Sequence, residues 1–140
     1  MPVTAKAMAV RMSPRKVAVV ASLVRGRTVA DALTILEHTP RRSAIPVRKV
    51  IESAKANADY NHGYKADTLK ISEITVNAGP RAKRFRPVAR GSAHPYQLRT
   101  SHITVIVDGE LRASKSKVES KKSKVDEKKP VAKTTKKEAK

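Results

Sequence analysis

The sequence predicts a mixed helix-and-strand domain, built from one strand, three helices and two further strands that pair as a hairpin, with a tail after it. Three observations predict it. The spacing of Val, Ile, Leu and Ala switches from period two to helical and back; the helical stretches carry start and stop residues; and a long acid-free loop joins the last two strands. The chain of 140 residues has room for one such domain and a tail, since compact domains commonly run to roughly 100 to 150 residues.

Met8, Val10 and Met12 alternate with Ala7, Ala9 and Arg11, the pattern of a half-buried strand. Ser13-Pro14 ends that strand and opens a helix, because Ser favours the N-cap and Pro the first helical position. Val17, Val20, Ala21 and Val24 fall on one face of this helix, and Gly26 stops it. Thr28 caps a second helix with the stripe Val29, Leu33 and Leu36, closed by Thr39-Pro40. The third and longest helix is expected from about Arg42 to Tyr60, with Val47, Val50, Ile51, Ala54 and Ala58 at helical spacing. Pro46 leaves two possibilities, a helix that begins at Ser43 or one that kinks at the proline.

Beyond the polar connection Asn61, His62 and Gly63 the pattern reverts to strands. Leu69 to Val76 carries a break in phase between Ile71 and Ile74, which predicts a bulge or a late strand start. Ile103 to Val107 is the cleanest strand. The residues between these two strands lack helical periodicity and are bracketed by Gly79-Pro80 and Thr100-Ser101, so the strands are expected to pair as an extended hairpin. Connections beyond ~12 to 15 residues in a compact domain tend to be functional or disordered.

From Arg112 to Lys140 the chain is Lys-rich, with 12 basic and 4 acidic side chains, a net +8, and is expected to be a disordered tail. Residues 1–111 are the expected RNA-binding domain, with 19 basic and 8 acidic side chains, a net +11. The whole chain carries +19, which calls for a polyanionic partner: neutralising phosphates releases their condensed counterions. An anionic membrane fits poorly, because no apolar run approaches the ~20 residues of a spanning helix and no basic helix carries an interfacial aromatic face. Nothing resembles a secretory signal, so the protein is expected in the cytoplasm. With no cysteine there is no disulfide framework and no thiol nucleophile.

Residues 80–99 hold Arg81, Lys83, Arg84, Arg86, Arg90 and Arg99 without one acid. Six like charges in such a stretch repel one another unless a polyanion neutralises them, and the arginine fork grips phosphate bidentately. A solvated loop is the bland alternative. Phe85 and Tyr96 have two readings, stacking on RNA or packing across the hairpin. Ser13-Pro14-Arg15-Lys16 reads as a helix start, with Arg11, Arg15 and Lys16 available to phosphates, although the same unit occurs in histone tails. Arg25 and Arg27, flanking Gly26, form a further expected phosphate contact; the alternative is that they complement the helix C-terminus. Catalysis finds no support: His38, His62, His94 and His102 lack metal-type pairing, Asp59 with His62 is the nearest approach to an acid and base pair, and neither a metal nor a cofactor is expected.

Over residues 5 to 109 the chain resembles the bacterial large-ribosomal-subunit protein number twenty-two family. The matching stretches are Ser13-Pro14-Arg15-Lys16 through Arg25-Gly26, Ala32-Leu33 with Leu36, and Val50-Ile51-Glu52-Ser53-Ala54 with Ala56-Asn57-Ala58. Gly79-Pro80, Lys83-Arg84, Pro87, Ala89-Arg90-Gly91 and Arg99 through Val105 complete them. The resemblance implies an α+β fold, three helices packed on a small three-stranded antiparallel sheet with one long protruding hairpin. It also implies a structural, non-enzymatic protein of the ribosome that binds large-subunit (23S) rRNA and bridges several rRNA domains during assembly. Its hairpin would line the nascent-peptide exit tunnel opposite large-subunit protein number four, with Lys83, Arg84, Arg90 and Arg99 on rRNA and Val88, Ala89, Arg90 and Gly91 at the tunnel-facing tip. Val88, Ser92 and Leu98 stand where family members often carry a basic residue. A histone-like DNA-packaging protein is the rival reading, and an RNA-modifying enzyme a distant third.

Overall fold

Val17, Val20, Ala21 and Val24 are all sealed from solvent, because helix α1 (Pro14–Val24) lays their shared face on a sheet. These elements come from a computed structural model, which describes residues 2–111. The expected tail, 112–140, lies outside the described residues. Pro14 occupies the first turn as predicted, but the Ser13 side chain makes no capping bond; its carbonyl instead accepts from the Lys16 and Val17 N–H groups at 3.0 and 3.3 Å. Gly26, at φ +74°, then turns the chain. Helix α2 (Val29–His38) starts with a reciprocal cap: Thr28 Oγ1 accepts from the Asp31 N–H at 3.2 Å and donates to Asp31 Oδ2 at 2.7 Å.

Helix α3 (Ala44–His62) resolves the question of Pro46, which is the third helical residue. Its missing N–H would have had no intrahelical partner there, so the helix begins directly after Ser43. At the other end Gly63, at φ +64°, closes it: the Gly63 and Tyr64 N–H groups return to Asp59 O and Ala58 O.

The strands form an antiparallel sheet in the order β1 (Val3–Val10), β5 (Ser101–Asp108), β2 (Lys70–Ala78). The bulge read from the break in phase is present, with the β2 register shifting between Ile71 and Glu73. The first strand needs a correction. Its buried residues are Val3 and Ala5, while Met8 is 66% exposed. Ala9 has φ +53°, and the register shifts between Ala7 and Val10, so the alternation is reset there and Val10 and Met12 return to the core edge. Ile103, Val105 and Val107 on β5 meet Ile71 and Ile74 on β2 and Val47, Ile51 and Ala54 on α3 in one aliphatic core.

Two further strands, β3 (Ala82–Pro87) and β4 (Ala93–Leu98), continue β2 and β5 outward as a separate two-stranded ribbon. Nearly every residue of the ribbon is exposed. Its root is fastened by the Gly79 N–H to Thr100 O bond at 2.9 Å and the Thr100 hydroxyl to Pro80 O bond at 2.6 Å.

Candidate nucleic-acid interface

The ribbon pairs Arg84 with Tyr96, Phe85 with Pro95 and Arg86 with His94. Strand alternation therefore puts Arg84, Arg86, His94 and Tyr96 on one face and Lys83 and Phe85 on the other. The two aromatics do not pack on each other across the hairpin. Phe85 is 72% exposed, and Tyr96 carries the Arg86 guanidinium 5.8 Å from its ring centre, a cation–π contact that spreads the arginine over a planar surface. Arg81, Lys83, Arg84, Arg86, Arg90 and Arg99 are all exposed, and none forms an ion pair among the described residues. The chain reverses over Val88 to Ser92, closed by the Val88 N–H to Ser92 O bond at 2.9 Å. Arg90 and Gly91 take the left-handed conformation in succession, at φ 61° and 71°. Glycine adopts it freely; the arginine carries a small strain.

At the ribbon's root the structure gathers charges that lie far apart in sequence. A cleft of about 920 Å³ opens between the end of β1, the N-terminal ends of α1 and α3, and the returning arm of the hairpin. Arg11, Lys16, Arg41, Arg42 and Arg99 line it together with Ser13, Ser43, Gln97 and Leu98, and no acid does. Three of the predicted contacts, Arg11, Lys16 and Arg99, thus meet in one place. Arg15 is exposed on the same first turn but does not line the cleft. Sequence reasoning missed Arg41, Arg42 and Ser43, whose only local signal was a pair of arginines before a helix start.

Arg25 and Arg27 lie at the other end of α1, about 16 Å away at 1.5 Å per residue. Arg27 Nε donates to Leu23 O at 3.0 Å and Arg25 Nη2 to Ile74 O at 3.1 Å, so the one stops α1 and the other ties it to β2. Acids gather remote from the ribbon: Asp67, Asp108 and Glu110 line a shallow recess at the end of β5 opposite its hairpin end. Glu37 and Glu52 are both engaged by Arg48, at 3.7 and 2.8 Å. The hydrogen bond that Arg48 donates to Glu52, then the charges of Glu52 and Glu37, push Arg48 above the ordinary arginine value. The result is a body whose positive pole carries the hairpin, an arrangement that orients an approaching polyanion.

Among the described residues no group of three or more His, Asp or Glu side chains could hold a metal ion, and no helix is long and apolar enough to cross a membrane. The family described as ribosomal protein L22p/L17e matches residues 5–108, which takes in the helical body, the cleft and the whole hairpin. The chain belongs to this family. The protein named large ribosomal subunit protein uL22 in Latilactobacillus sakei is 53% identical over 104 residues, covering 74% of this chain and 89% of its own. The proteins of the same name in Lacticaseibacillus casei and Lacticaseibacillus paracasei are each 52% identical over equal shares. Membership replaces the histone-like reading and that of an RNA-modifying enzyme: the family is one of structural ribosomal proteins. Ser13-Pro14-Arg15-Lys16 is accordingly the start of a helix, with Pro14 in its first turn.

Proposed function

We propose that this protein is a structural constituent of the large ribosomal subunit that binds large-subunit (23S) rRNA, bridges rRNA domains during assembly, and lines the nascent-peptide exit tunnel with its hairpin. Residues 1–111 act as the rRNA-binding domain. The observation that carries this reading is the ribbon, which displays exposed, unpaired cations along its first arm, with Arg90 at the turn and Arg99 at the foot of the second, and carries no acid. Preorganisation favours it over a flexible basic segment, since arginines fixed on paired strands lose less freedom on binding. Arg81, Lys83, Arg84, Arg86 and Arg99 act as anchors along the arms. Val88, Ala89, Arg90 and Gly91, at the turn, face the tunnel and the nascent peptide, with large-subunit protein number four as a neighbour. Arg11, Arg15 and Lys16 add contacts from the body, and Arg25 and Arg27 keep free donors for phosphate beyond their carbonyl bonds.

Sucrose-gradient fractionation of a lysate tests the reading. The protein is expected with the large subunit in moderate salt; sedimentation with the nucleoid and absence from subunits would overturn it.

A further inference from the structure

Ser43 is 4% exposed, yet its hydroxyl caps no helix and has no hydrogen-bond partner among the described residues. Ser43 lines a cleft, so the surface it keeps faces that opening, where the hydroxyl is available to donate to a partner from outside the chain. What surrounds it defines that partner. Arg41, Arg42 and Arg99 converge on the same cleft with Arg11 and Lys16, and two helices of 11 and 19 residues present their N-terminal ends there. Helix N-termini carry partial positive charge and unused N–H groups, and both favour an anion. A carboxylate or phosphate would answer the charge; the cleft's size admits a length of sugar-phosphate backbone rather than a lone ion.

We infer that this cleft is a phosphate seat for the RNA backbone, in which the Ser43 hydroxyl donates to a phosphate oxygen and Arg41, Arg42 and Arg99 close around it. The inference rests on the rRNA-binding reading and sharpens it. Gln97, Leu98 and Arg99 belong to the foot of the hairpin's returning arm, whereas Arg41, Arg42 and Ser43 belong to the body. A phosphate held between them fixes the direction in which the hairpin leaves the body. The arms alone cannot do this, because among the described residues the hydrogen bonds that fasten the ribbon to the body lie at its root. The seat is thus a separate device, assembled only in the folded state.

Filter binding of the full chain to deproteinised large-subunit rRNA across a range of KCl concentrations tests the seat. Ser43→Ala removes a hydrogen bond but no charge, so it should weaken binding about ten-fold while leaving the salt slope unchanged. It removes no capping bond, and a helical circular dichroism spectrum equal to that of the parent would show that folding is unaffected. Arg41→Gln with Arg42→Gln, both exposed, should weaken binding and flatten the log–log salt slope by about one. The pair Lys65→Gln and Lys70→Gln, remote from the hairpin and equal in charge, is the control and should flatten the slope less. Three results would overturn the seat: Ser43→Ala binding like the parent, the two glutamine pairs behaving alike, or polyglutamate displacing the RNA from the parent as well as unlabelled RNA does. Failure of the parent to bind the rRNA at all would instead remove the rRNA-binding reading, and the seat with it.

Discussion

Replacing Gly79 by alanine should cost about 1 to 3 kcal/mol, the usual range for overpacking, and nearly all of that should vanish if Thr100 is alanine as well. A Cβ on Gly79 falls 2.5 Å from Thr100 Oγ1 and 3.3 Å from the His102 ring. The hydroxyl cannot rotate clear at no cost, because it donates to Pro80 O at 2.6 Å and so closes the root of the hairpin. Escape forfeits that bond, about 0.5 to 1.5 kcal/mol, and displaces the strand it fastens. Against this stands the lower freedom of alanine in the unfolded chain, a gain of about 0.4 to 1 kcal/mol where the native φ allows it. Thr100→Ala alone should cost about 1 kcal/mol, the hydrogen bond only. With the oxygen gone, the remaining 3.3 Å contacts need a shift of a few tenths of an ångström in the His102 ring, itself held by the Ala9 N–H at 2.9 Å. Gly79→Ala in the Thr100→Ala background should therefore fall within about 0.5 kcal/mol of neutral, and the double-mutant cycle should show a coupling of about 1 to 3 kcal/mol. Urea unfolding followed by circular dichroism measures all four proteins. Additive effects would refute the reasoning, because Gly79 and Thr100 would then not be in contact at the root.

Ile51→Ala should destabilise the protein by about 2 to 5 kcal/mol in the same assay, since Ile51 is fully buried between α3 and the sheet. Ala9→Gly should raise stability by up to about 1 kcal/mol, because Ala9 is exposed and held at φ +53°. Charge reversal of Arg84 and Arg90 should impair incorporation into large subunits more than deletion of residues 112–140, measured by quantitative mass spectrometry of purified subunits. Equal defects would mean that the main contact surface is not the hairpin.

How far each element could be read from the sequence depended on where its signal lay. The stripe Val17, Val20, Ala21 and Val24 is the buried face of α1 without change, because helix burial repeats at a spacing that one segment contains. The bulge beyond Ile71 was legible for the same reason: it breaks the phase of large aliphatic residues. Strand β1 was misread because its true inner residues, such as Ala5, are weakly hydrophobic, and the bulge at Ala9 brings Val10 into apparent phase with Met8. The hairpin was legible as charge without acids between two strands. Its facial sorting was not, since which arginine lies beside Tyr96 follows from a register fixed by a turn whose geometry depends on Arg90 and Gly91. The cleft was the least visible, because Arg11, Arg41, Arg42 and Arg99 become neighbours only through the packing of α1 and α3 beside the hairpin root.

Ultraviolet crosslinking within intact large subunits, mapped by mass spectrometry to single residues, tests the central claim most directly. RNA adducts are expected along 81–99, with Phe85 and Tyr96 prominent because their rings are accessible on opposite faces of the ribbon. Adducts confined to the acidic end of the body, around Lys65 and Lys70, with none on the hairpin, would contradict it.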